Sequence, residues 1–142
     1  MEPSQARAIL LSQHDRLRRL LTQIQVIADR VLEGEGVVAE LHEQLEELRA
    51  AFAEHNASEE TLLEPILRLD FAWGPPRIQR MLEEHAAEHA MFRETLAGPD
   101  LEVAERMGDV IEEIDAHMAA EERTFLSPSV LRDDILNVEE GS

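Results

Sequence analysis

Apolar residues return along the chain at alternating intervals of four and three, the pattern of a helix with one buried face. The first such stripe is Leu10, His14, Leu17, Leu21, Ile24, Ala28 and Val31, within a segment from about Pro3 to Glu33. The second is Leu41, Leu45, Leu48, Phe52, His55, Glu59, Leu62 and Ile66, between about Val37 and Asp70. The third, from about Pro76 to Ala97, reads Ile78, Leu82, His85, His89, Phe92 and Leu96. The fourth, from about Leu101 to Leu126, reads Val103, Met107, Val110, Ile114, His117, Glu121 and Phe125. Gly34-Glu35-Gly36, the stretch from Phe71 to Pro76, and Gly98-Pro99-Asp100 separate them, and Ser127-Pro128 closes the last. Glycine and proline at these points end a helix. No segment alternates with period two, so no strands are expected. Four amphipathic helices on short connections predict an all-α, antiparallel up-down-up-down four-helix bundle. A short amphipathic piece, Ser129 to Leu136, is expected to form a helical extension that caps one end. At 142 residues the chain has the length of one domain, with its core over about residues 9–128.

The stripes are interrupted by polar side chains. Five of the six histidines, His14, His55, His85, His89 and His117, stand where a leucine is expected, and so does Glu59. Taken singly, a histidine on an apolar stripe is ordinarily a satisfied core or boundary residue. Taken together these residues need another explanation, because unpaired imidazoles and an ionised carboxylate are costly to bury. Every helix contributes at least one, most near its middle, so all converge at one level of the bundle. A metal ion removes the penalty by making each group a ligand. Spacing agrees: His55 and Glu59, and His85 and His89, are pairs four apart on one helical face. His42 lies off the stripe and is expected on the surface. The string from His42 to Glu46 begins like a zinc-protease helix but has no second histidine.

An internal repeat sharpens the register. Glu59-Glu60-Thr61-Leu62-Leu63-Glu64-Pro65 aligns with Glu122-Arg123-Thr124-Phe125-Leu126-Ser127-Pro128. His55 lies four residues before its glutamate and His117 five before Glu122, a difference that a π-bulge in the fourth helix would absorb. Regular spacing from His117 would select Glu121 instead. The shared Thr, Leu and Pro favour Glu122. The third helix repeats the first: Leu82-Glu83-Glu84-His85 parallels Leu11-Ser12-Gln13-His14, but Arg18 stands where the counterpart of His89 would be.

Composition narrows the chemistry. There is no Cys and no Tyr, which excludes disulfides, thiolate metal sites, cysteine nucleophiles and tyrosine acid–base or radical chemistry. With 31 acidic and 13 basic residues the net charge is −18, which repels nucleic acid and anionic membrane, so neither is an expected partner. No apolar run approaches the ~20 residues of a membrane span. Met1-Glu2-Pro3-Ser4 has neither a basic n-region nor an apolar h-region, so the expectation is a cytoplasmic protein without a signal peptide. Trp73, in the second connection, is expected to fill the bundle end rather than to line a pocket.

The ordered set of residues resembles the hemerythrin-like family of HHE cation-binding domains. The family pattern is a His on the first helix, His-x3-Glu on the second, His-x3-His on the third and His-x4-Asp or Glu on the fourth. Here these are His14; His55 and Glu59; His85 and His89; and His117 and Glu122, over about Ile9 to Pro128. The resemblance is to bacterial single-domain members, many of which use His-x3-Glu on the fourth helix, as His117 and Glu121 would. It implies two non-haem iron ions joined by an oxo or hydroxo bridge. His85, His89 and His117 would hold one iron, His14 and His55 the other, and Glu59 and Glu122 would bridge them. Counting ligands leaves one open position on the iron of His14 and His55, where O2, peroxide or NO would bind. Ferritin-like bundles use Glu-x-x-His instead, and no stripe histidine here has a glutamate three residues before it.

The functional expectation is therefore a di-iron protein binding O2, peroxide or NO, in redox protection or sensing rather than oxygen carriage. A peroxide- or NO-processing activity is one form of it. The alternatives are an iron-handling protein and a metal-free helical interaction module, whose protein partner the sequence does not identify.

Overall fold

The computed structural model describes residues 1–69 and 73–134; the side chains of residues 89, 92 and 95 lie outside that description. Among the described residues there are four helices: α1 Pro3–Leu32, α2 Val38–Leu67, α3 Gly74–Thr95 and α4 Asp100–Arg123. No strand occurs among the described residues. Helix α1 packs on α2 and α4, and α3 on α2 and α4, so consecutive helices are neighbours and the last closes on the first. This is the expected up-down-up-down bundle. No helix of the described residues is long and apolar enough to cross a membrane.

Helix boundaries follow local chemistry. Pro3 occupies the first turn of α1, and the Glu2 backbone N–H donates to Gln5 Oε1 at 3.0 Å. Gly34, just beyond the end of α1, has φ of 79°, a left-handed conformation that glycine adopts without a Cβ penalty. Helix α2 continues through Pro65 to Leu67, whereas α4 stops at Arg123, five residues before Pro128. After α4, turns carry the chain to Leu131, which is buried. Arg7 Nε donates to the Leu126 carbonyl at 2.7 Å, and the Ser4 backbone N–H and Oγ both donate to the Asp133 carboxylate. The C-terminal piece thus closes the end that holds the start of α1. Its last two expected residues, Ile135 and Leu136, lie outside the described residues.

The apolar core comes in two clusters. The larger includes Leu17, Leu21, Ile24, Leu45, Leu48, Met107 and Ile114. The smaller joins Ala6, Leu10, Leu63, Ile66 and Met81 to Phe125, Leu126 and Leu131. Along every helix the residues between the two clusters are the polar ones: His14 lies between Leu10 and Leu17, and His55 and Glu59 between Phe52 and Leu63. Two expectations are corrected. Leu82 is 44% exposed and Met81 takes its place in the core, so the buried face of α3 is turned by one residue from the expected line. Trp73 is 63% exposed and does not fill the end, because Phe125, Leu126 and Leu131 already do.

Gly74 opens α3 against the last turn of α2. A Cβ there would run into the Leu67 carbonyl oxygen, a backbone atom that cannot swing aside. Gly74→Ala should therefore destabilise the bundle by about 1–3 kcal/mol, the usual cost of forcing extra atoms into a close-packed contact. A urea midpoint equal to wild type would disprove the close approach.

Candidate metal centre

His14, His55, Glu59, His85, Glu88 and Glu121 are all buried in the layer between the two clusters, and His117 joins them at its edge. The Nε2 atoms of His14 and His55 face each other at 3.0 Å. Glu59 sits beneath them, with Oε2 at 3.0 Å from His55 Nε2 and Oε1 at 3.4 Å from His85 Nε2. His117 Nε2 lies 3.1 Å from Glu121 Oε1 and in close contact with Glu88. Among the described residues two sets of potential ligand atoms result. One is His14, His55, Glu59 and Glu121; the other is Glu88, His117 and Glu121, so Glu121 belongs to both.

The outward ring nitrogens explain why the inward ones are bare. His55 Nδ1–H donates to Gln13 Oε1 at 2.7 Å, His85 Nδ1–H to Glu60 Oε1 at 2.8 Å, and His14 Nδ1–H to Glu122 Oε1 at 3.3 Å. A neutral imidazole carries one N–H, so a proton on Nδ1 leaves Nε2 as a lone pair. His14 and His55 then point two lone pairs at each other across 3.0 Å, which only a cation or a shared proton relieves. Burial, and then the neighbouring His55, hold the His14 pKa below its ordinary value, which disfavours the shared proton. Both Glu59 oxygens, both Glu88 oxygens, Glu121 Oε2, and Nε2 of His85 and His117 have no hydrogen-bond partner. Each such group costs ~1–3 kcal/mol when left unsatisfied. The arrangement fits a metal: nitrogen and oxygen donors, converging lone pairs, and outer partners that fix each ring.

The carboxyls of the metal-free protein are driven apart. Burial, reinforced by the neighbouring Glu59, pushes the Glu121 pKa up to about 12. Burial works against Glu59 too, but Glu121, His55 and His85 together hold it below the carboxylate range. Burial raises Glu88 to about 8 despite the His85 charge. His85 rises to about 9 against its burial, through Glu59 and Glu60. At pH 7 Glu121 thus carries a proton and His85 a second one, on Nε2, and a bound cation displaces both. Loading the metal-free chain with Co2+ in unbuffered solution should therefore release protons, and affinity should rise with pH. A titration with no acid released would contradict this ordering.

The structure sorts the expected ligands. His14, His55, Glu59, His85 and His117 come together. His89 lies on α3 as expected, but its side chain is outside the described residues. Glu122 is not in the cluster: it is a quarter exposed, it accepts from Arg18 Nη2 at 2.5 and 3.1 Å, and it meets His14 from behind. Arg18 holds its carboxyl below the usual range. The π-bulge expected before Glu122 is absent, since α4 runs as regular α-helix from His117 to Arg123 and so turns Glu121 inward. His42 is exposed, as expected, and faces Asp100. Glu88, Gln13 and Glu60 were not expected. Glu88 was discoverable, three residues after His85 on the same face; Gln13 and Glu60 are ordinary polar neighbours with no sequence signal.

A family model for the hemerythrin HHE cation binding domain matches residues 5–127. Neither a curated protein nor a solved structure matches the chain.

Proposed function

Because the chain belongs to the hemerythrin HHE cation-binding family, we propose that it is a non-haem di-iron protein that binds O2, peroxide or NO, in redox protection or sensing. The observation that carries this reading is the pair of imidazole lone pairs, His14 and His55, facing each other in a buried layer above the Glu59 carboxylate. His14 and His55 would hold one iron, and His85, His89 and His117 the other. Glu59 would bridge them, with Glu121 as the second carboxylate in preference to Glu122. When bound, iron supplies a redox-active Lewis acid with a position left open for a small ligand.

The chain's own residues do the rest. Gln13, Glu60 and Glu122 lock three rings in the tautomer that presents Nε2 inward. The apolar clusters above and below exclude bulk water from the layer. Arg18 keeps Glu122 ionised, so that Glu122 accepts from His14 rather than donating to it.

Protein produced with ample iron should contain about two irons per chain, the number a paired site requires. Its visible spectrum should bleach on reduction and recover, or change, on exposure to O2, peroxide or NO. One iron or none would contradict the paired site, and none, with a chain that folds as well without metal, would identify the metal-free helical interaction module.

A further inference from the structure

The buried layer has a side entrance. A groove of about 380 Å³ runs between α3 and α4, lined by Glu84, Ala87, Glu88, Met91, Glu113, Ala116 and His117. Among the described residues this is the loosest seam between consecutive helices. Its charged lining is acidic, with no lysine or arginine in it; Glu84 is held from its own helix by Arg80 at 3.0 Å. At its floor stands Glu88, only 6% exposed. Its carboxylate meets Asn56 on one side and His117 on the other, and it is buried too deeply for water to solvate it. The HHE pattern gives this residue no role. It nevertheless shares a ligand set with His117 and Glu121, and Glu121 is shared again with His14, His55 and Glu59.

We propose that the α3–α4 groove is the route by which a divalent cation enters and leaves the centre, and that Glu88 is its capture ligand. The carboxylates of exposed Glu113 and half-buried Glu84 raise the local cation concentration at the mouth. Glu88, His117 and Glu121 replace part of the hydration shell. Glu121 then carries the ion inward, because its carboxylate already belongs to the His14–His55–Glu59 set. No covalent or redox step is involved. The inference rests on the reading of the layer as a metal centre.

Its signature is kinetic. A residue used only in passage speeds entry and exit alike, whereas a permanent ligand holds the ion in. The probe is Co2+ alone, followed by its visible absorption on uptake by the metal-free full-length chain and on release from the loaded chain to a chelator. Glu88→Gln should slow both uptake and release by about tenfold, the scale that a focused acidic cleft contributes to an on-rate. Glu84→Gln with Glu113→Gln, at the rim and away from the core, should slow uptake and flatten its dependence on ionic strength. Glu54→Gln, at a smaller opening of about 50 Å³ beside His55 on the α1–α2 side, should change neither rate.

Wild-type rates in Glu88→Gln, faster release from it, or slowing by Glu54→Gln instead, would each overturn the route while leaving the metal centre standing. A wild-type chain that takes up no Co2+ would remove the metal centre itself, and the route with it.

Discussion

Stripping the metal should lower the melting temperature by about 10 °C or more. In the metal-free layer both oxygens of Glu59 and of Glu88, and Nε2 of His85 and His117, are buried without hydrogen-bond partners. Such groups are tolerated in the folded chain only because the helices around them supply two apolar clusters, one on each side. A cation that binds the folded chain and not the unfolded one adds about 4 kcal/mol when its free concentration is 1,000 times its Kd. In a chain of about this length each kcal/mol moves the melting temperature by roughly 2–4 °C. Calorimetry of the loaded protein, and of the same sample after chelation and removal of the chelator, gives the difference directly. Equal melting temperatures would mean that the layer binds no metal in the folded state. The loss should be felt on both sides of the layer, since His14, His55 and His117 join the two clusters along α1, α2 and α4. Amide exchange should therefore quicken near Leu63 and Phe125 as well as near Leu48.

The bundle was legible because its helices are long and their apolar stripes persist for many turns. Stripes such as Leu17, Leu21, Ile24 and Ala28 admit one face and one period, and glycine and proline mark the breaks. The polar layer was legible for the same reason in reverse. A histidine at a leucine position is visible only where the stripe on either side is unbroken, as around His14, between Leu10 and Leu17. Where two apolar residues adjoin, spacing alone does not fix the buried face. On α3, Met81 and Leu82 are both apolar, and period alone does not decide which faces inward. Leu82 was expected inside, and the buried face proved to run through Met81, His85 and Glu88. That one-residue rotation is what brings Glu88 to the layer. The partners Gln13 and Glu60 were invisible for a different reason. Each acts through the orientation of a neighbouring ring on another helix, a property of packing that no spacing along one helix records.

Glu121→Ala should abolish loading of the paired site, while Glu122→Ala should keep both metals and weaken them by roughly ten- to a hundredfold, the usual cost of losing an outer partner of a ligating histidine. The sequence repeat favours Glu122 as the bridge, because it aligns Pro128 with Pro65. The two prolines do not mark equivalent places. Pro65 lies inside α2, which continues to Leu67, while α4 ends at Arg123 and reaches Pro128 only through turns. Counting from the proline therefore carries the register of a helix into a segment that is not one. Counting from His117 along regular α-helix leads to Glu121, which is buried with Oε1 3.1 Å from His117 Nε2 and belongs to both ligand sets. Removing it takes away one of the two carboxylates between the ions, and two cations roughly 3.5–4 Å apart then repel with less negative charge between them. Glu122 faces the other way, toward Arg18 and the back of His14. Its loss frees the His14 ring to turn and removes the acceptor that fixes its tautomer, without removing a donor from the layer. Glu122→Gln should restore part of the affinity, since an amide oxygen still accepts from Nδ1–H. Metal analysis and Co2+ titration of the three variants separate the two roles. Full metal content in Glu121→Ala with none in Glu122→Ala would show that α4 takes up an extra residue when the metal binds, bringing Glu122 inward in place of its neighbour.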